Sequence, residues 1–160
     1  MKSASLSDVK KELQALDAKD LVELCISLAK YKKDNKDYLS YLLFESHDKS
    51  AVIKEIRAEL DSEFMELKKQ ENLYYVKKGL RRILRQLNRY VKYLGDKASS
   101  TELNIYFCLL LKESGIPFRR NKLIVNLYEQ QLKKISALIA ALHEDLRGDY
   151  EPEFEKIIRY

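Results

Sequence analysis

Residues 71–97 read ENLYYVKKGLRRILRQLNRYVKYLGDK, and their spacing of apolar and basic side chains decides the fold class. On a helix that turns about 100° per residue, Leu80, Leu84 and Leu87 share one side. The segment carries eight Lys or Arg against two acids, giving +6, whereas the whole chain carries +5. It therefore predicts an amphipathic helix that buries an apolar stripe and presents a basic face within residues 77–92. The candidate binding residues on that face are Lys78, Arg81, Arg82, Arg85, Arg89 and Lys92.

The composition extends the helical prediction to the whole chain. The 160 residues are 46% hydrophobic and 34% charged, with only four Gly and two Pro. High charge with few helix breakers indicates an all-α protein. We expect about eight antiparallel helices, arranged as a compact bundle or a short stack of helix pairs. The length fits a single domain over residues 1–160.

Two positions predict where the helix pattern is interrupted in the middle of the chain. Gly95 is suited to the left-handed conformation that ends a helix. Residues 96–100 then read as the main internal linker, with Ser100 or Thr101 opening the next helix.

The longest periodic stretch covers residues 119–146, where Ile124, Ile135 and Leu142 fall near heptad spacing. A heptad seam can pair with a second copy, so a homodimer through residues 119–146 is one expectation. Gly148 predicts the end of this helix, and Pro152 predicts the start of a short terminal one.

The cysteine thiols and histidine imidazoles, the groups most often reactive near neutral pH, lie outside any catalytic or metal-binding motif. Cys25 and Cys108 occupy apolar stretches without metal-ligand spacing, which predicts buried free thiols in a reducing compartment. His47 and His143 belong to no catalytic or metal motif. The sequence therefore predicts no enzyme activity, no cofactor and no metal site.

The distribution of apolar residues along the chain predicts its location in the cell. Residues 3–12 lack the apolar run of a signal peptide. Residues 103–111 form the most continuous apolar stretch, and they are far fewer than the ~20 needed to cross a bilayer. We expect a cytoplasmic protein without a membrane span.

Four short leucine-rich stretches near the N-terminus share a recognisable spacing. They are VKKELQALD at 9–17, DLVEL at 20–24, LAK at 28–30 and DYLSYL at 37–42. This pattern resembles an uncharacterised family of small bacterial helical proteins, mainly over residues 9–45, and LRGDY at 146–150 is similar to that family's usual ending. The resemblance implies a cytoplasmic bacterial all-α domain and supplies no catalytic residue.

The basic face allows three interpretations. The leading one is a non-enzymatic interaction module that presents residues 77–92 to an acidic partner, such as an acidic protein. The alternative is a sequence-tolerant nucleic-acid-binding protein, since Tyr74, Tyr75 and Tyr93 lie at or beside the basic sector. In the third, acids of a neighbouring helix, among them Glu59 and Glu63, pair with the cations and leave an ordinary solvated face.

Overall fold

The computed structural model describes residues 2–159. The chain divides into two compact units, Met1–Glu45 and Ser46–Tyr160. Within the described residues there are eight α-helices and no β-strand. The prediction of an all-α fold with about eight helices is confirmed, and the single domain over 1–160 stays a prediction.

The first unit contains three helices and a π-helical turn, and very little of it is buried. The Asp17 side chain caps the second helix by accepting a hydrogen bond from the Asp20 amide, as carboxylates commonly do at helix starts. Tyr41 is the one buried residue among residues 2–45. Cys25 is exposed, so the prediction that both thiols are buried is wrong for this one. The elements are α1 (Leu6–Ala15), α2 (Ala18–Tyr31), α3 (Lys33–Ser40) and the π-helical turn (Tyr41–Glu45).

The second unit is organised around one central helix. This helix, α6, packs against all four other α-helices of the unit, so it is buried on nearly every side. Phe64 and Phe107 meet edge to face in the core, with ring centroids 5.4 Å apart. The elements are α4 (Lys49–Lys68), α5 (Leu73–Leu94), α6 (Lys97–Glu113), a 3-10 turn (Phe118–Arg120), α7 (Lys122–Ala140) and α8 (Glu144–Ile158).

No helix in the part of the chain covering residues 2–159 has both the length and the apolar character that crossing a bilayer requires.

The basic segment forms α5 as predicted. Asn72 caps the helix by accepting from the Tyr74 amide at 2.9 Å, and Gly95 ends it with a left-handed φ of 72°. A Cβ on Gly79 would lie 2.5 Å from Leu67 Cδ1, so the missing side chain lets α4 lie close against α5. The apolar stripe is buried, and it comprises Val76, Leu80, Ile83, Leu84, Leu87 and Leu94.

The linker predicted at residues 96–100 is wrong in extent. Asp96 caps α6 by accepting from the Ser99 amide at 2.7 Å, so residues 97–100 are already helical. The carboxylate of Asp96 also bonds the Lys49 ammonium at 3.1 Å, which strengthens this early start. Ser100 and Thr101, the predicted helix openers, are instead buried within α6.

The helix predicted over residues 119–146 is also corrected. It ends at Ala140, and α8 runs from Glu144 through both Gly148 and Pro152 without a break. The C-terminal half of α8 is anchored by burial of Ile157 and by a hydrogen bond from the Tyr128 hydroxyl to the Ile157 carbonyl. Tertiary contacts thus outweigh the proline's lost hydrogen bond.

Part of the heptad seam is buried inside the second unit, whereas Leu146 at its end is 41% exposed. Ile124, Ile135 and Leu142 are all buried. These three side chains would have to leave the core to contact a second copy. The homodimer expected through residues 119–146 stays a prediction.

Candidate functional site

The α5 helix carries seven cations and no acid. The two sides of its basic face make different contacts with the rest of the second unit. Among residues 2–159, three side chains on the side toward α4 contact its carboxylates, and the exposed cations on the other side form no ion pair with a carboxylate. We call the first set (Arg82, Gln86, Arg89 and Tyr90) the paired edge. We call the second set (Lys77, Lys78, Arg81, Arg85 and Lys92) the unpaired edge.

On the paired edge, two glutamates of α4 hold polar side chains of α5. Glu63 forms an ion pair with the Arg82 guanidinium. Glu59 accepts from Gln86 Nε2 and, at 2.7 Å, from the Tyr90 hydroxyl. Burial, and next the hydrogen bond to the Glu59 carboxylate, raise the pKa of Tyr90. This side therefore serves as an interhelical contact.

Arg89 lies with the paired edge rather than in open solvent. Its guanidinium carbon is 5.8 Å from the centroid of the Tyr90 ring, and the residue is half-buried. This is within the range of a cation–π contact.

On the unpaired edge, Lys78, Arg81, Arg85 and Lys92 are exposed. None of these four forms an ion pair with a carboxylate among residues 2–159. The fifth member, Lys77, places its ammonium 5.3 Å from the centroid of the Tyr74 ring. An open groove of about 550 Å³ runs along this side. Its lining residues are Tyr74, Lys77, Lys78, Arg81, Leu84, Arg85 and Asn88.

A lysine from another helix fixes the orientation of the Asn88 side chain at one end of that groove. The Lys134 ammonium of α7 donates to Asn88 Oδ1 at 2.7 Å and to Asn104 Oδ1 at 3.1 Å. Burial lowers the pKa of Lys134. An ammonium has no acceptor, so Asn88 must turn its oxygen toward Lys134 and its amide nitrogen elsewhere.

The structure divides the six predicted binding residues. Lys78, Arg81, Arg85 and Lys92 lie on the unpaired edge, whereas Arg82 and Arg89 lie on the paired edge. The sequence prediction missed two groove residues, Lys77 and Asn88. On the helical wheel they fall at about 60° and 80° from Leu80, just outside the sector that the cluster of cations defines, so a wider sector would have included them.

The residues considered for catalysis are not brought together. Cys108 is fully buried, and burial raises the pKa of its thiol to about 12, so it is protonated at neutral pH. His143 lies exposed before α8, with its Nδ1 3.2 Å from the Asp145 carboxylate. His47 is exposed in the turn before α4. Among residues 2–159, no cluster of three or more His, Cys, Asp or Glu has the arrangement to hold a metal ion.

Comparison with protein-family models, curated proteins and solved structures gives no match for this chain, so the resemblance over residues 9–45 stays a prediction.

Proposed function

We propose that this chain is a non-enzymatic interaction module that binds an acidic partner through the unpaired edge of α5. One observation carries the proposal: among residues 2–159, Glu63 of α4 forms an ion pair with Arg82, whereas no carboxylate forms one with the exposed cations Lys78, Arg81, Arg85 and Lys92. An ion pair therefore supports the interpretation of a neutralised face at Arg82, and no ion pair among the described residues supports it at Arg81 or Arg85.

The unpaired edge also carries an energetic cost for the folded chain. Arg81 lies one helical turn from both Lys77 and Arg85, and like charges at this spacing destabilise a helix by about 0.2–0.5 kcal/mol per pair. No described carboxylate offsets this repulsion through an ion pair. A bound polyanion would offset it, which is the physical reason to assign the face to binding.

The two thiols support a cytoplasmic setting for this module. Cys25 is exposed and Cys108 is buried, and neither forms a disulfide. Exposed free thiols persist in reducing compartments, whereas oxidising ones favour disulfides.

The test is a charge reversal on the unpaired edge, Arg81→Glu with Arg85→Glu. The probes are poly-L-glutamate and mixed-sequence DNA and RNA, titrated from about 50 mM salt upward. We expect at least one probe to bind, its affinity to fall as salt rises, and the double variant to lose about tenfold or more.

The matched control reverses two exposed lysines outside α5, Lys54→Glu with Lys133→Glu, for the same change in net charge. It should retain binding, because it leaves the unpaired edge intact. The proposal fails if no polyanion binds, or if the control loses as much affinity as the double variant.

A further inference from the structure

Two exposed tyrosines stand at the start of the unpaired edge. Tyr74 lines the groove and is 58% exposed, and the neighbouring Tyr75 is 55% exposed. Their rings meet edge to face, with centroids 5.4 Å apart. Aromatic rings usually bury most of their area, so a pair left in solvent beside a row of cations offers surface for a flat ligand group.

The polar lining of the groove consists mainly of hydrogen-bond donors. Lysine and arginine only donate, which covers Lys78, Arg81 and Arg85. Asn88 adds a donor, because its oxygen is held by Lys134 and only its amide nitrogen is left to meet a ligand. Phosphate oxygens only accept, so the lining is complementary to a phosphate backbone.

The Tyr74 ring and the cations of the groove together distinguish among classes of acidic partner. An acidic peptide can match the cations, but its carboxylate side chains have no flat face to stack on a ring. A duplex keeps its base faces stacked on one another. Unpaired bases expose their faces, and their stacking on aromatic side chains is a main source of affinity for single strands.

We infer that the acidic partner is single-stranded nucleic acid, lying along α5 with phosphates on Lys78, Arg81 and Arg85 and a base on Tyr74. This inference rests on the proposed function of the unpaired edge. From Tyr74 to Asn88 the helix rises about 21 Å, a length that accommodates a few nucleotides. The contacts are to backbone and base faces, so we expect little sequence preference.

The experiment compares four labelled probes by fluorescence anisotropy. They are a mixed-sequence single-stranded DNA, an RNA of the same sequence, the duplex of that DNA with its complementary strand, and poly-L-glutamate. The variant is Tyr74→Leu, which keeps an apolar side chain and removes the ring. We expect it to weaken single-strand binding at least about fivefold and to leave duplex and polyglutamate binding unchanged. Tyr74→Phe should restore single-strand binding, since it keeps the ring.

A matched control is Tyr31→Leu. Tyr31 is 78% exposed and has the Lys32 ammonium 5.9 Å from its ring centroid. The lysines that follow it are interrupted by Asp34 and Asp37, whereas α5 carries no acid. This variant should bind the single strands like the parent chain. Protection of the Cys108 thiol from labelling verifies that each variant is folded, since that side chain is fully buried.

The outcomes separate the inference from the function beneath it. The single-strand inference is wrong if polyglutamate binds through Arg81 and Arg85 while single strands do not bind. It is also wrong if Tyr74→Leu weakens the binding of every probe equally. In both cases the proposed interaction module stands. If no polyanion binds at all, both are wrong.

Discussion

Both edges of α5 carry cations, and the two edges have different surroundings. On the paired edge, Arg82 and Tyr90 are held by Glu63 and Glu59 of α4. On the unpaired edge, Arg81 and Arg85 project from the same helix and meet no described carboxylate in an ion pair. The difference teaches that cations along a helix are available to a ligand only where the neighbouring helix supplies no carboxylate to pair with them.

The largest effect should come from the buried stripe that supports both edges. Leu87 is 0% exposed, so Leu87→Ala should lower the free energy of unfolding by about 2–5 kcal/mol. Because Leu87 belongs to that buried stripe, the substitution should destabilise the paired and the unpaired edge alike. Urea unfolding measures this. Leu43→Ala in the first unit, at a leucine that is 63% exposed, should change the value by less than about 0.5 kcal/mol. Equal losses at the two leucines would contradict the placement of the core.

A smaller effect should follow from loosening the paired edge alone. Tyr90→Phe removes the hydrogen bond that the hydroxyl donates to Glu59 and the longer one that it accepts from Gln86, and it should lower the free energy of unfolding by about 1 kcal/mol. Affinity for the polyanion probes should stay unchanged, since this residue faces α4. A loss of affinity comparable to that of the Arg81 and Arg85 reversal would show that the two edges are not separable.

The pH dependence of stability provides an independent view of the paired edge. The pKa of Tyr90 is raised in the folded state, so the folded chain keeps this proton where the unfolded chain has lost it. The resulting stability is complete below the unfolded-state pKa of about 10 and is lost as the pH rises through the folded-state value. Tyr90→Phe should make the decline above pH ~10 shallower. A slope equal to that of the parent chain would contradict this assignment.

The smallest effect should separate two adjacent arginines. Arg82→Gln removes an exposed ion pair and should lower the free energy of unfolding by about 0.2–1 kcal/mol. Arg81→Gln removes only repulsion and should leave stability unchanged or raise it by a few tenths of a kcal/mol. Paired denaturation curves of the two variants measure the difference. The reverse order would show that the edges are assigned the wrong way round.

The sequence predicts what local periodicity controls. The α5 stripe around Leu80 and Leu87 and the end of the helix at Gly95 are confirmed, because helical spacing and a left-handed glycine act within a few residues. For α6 the sequence predicts too late a start, since Ser100 and Asp96 are both good caps and a contact with Lys49 favours the earlier one.

The composition of the site depends on contacts between distant segments, which one sequence does not specify. Whether Arg82 or Arg81 meets Glu63 depends on the rotation of α5 against α4. The orientation of Asn88 depends on Lys134, which lies 46 residues away in the sequence. Periodicity therefore predicts a basic face, while packing decides which part of that face is open to a ligand.

The central position of α6 has a consequence for how the second unit opens. Each of the other four helices of the unit packs against it, so its backbone amides reach solvent only when those contacts separate. Hydrogen–deuterium exchange in α6 should therefore be the slowest in the unit and should report global unfolding. The exposed α1 helix, which has no buried residue, should exchange through local fraying instead.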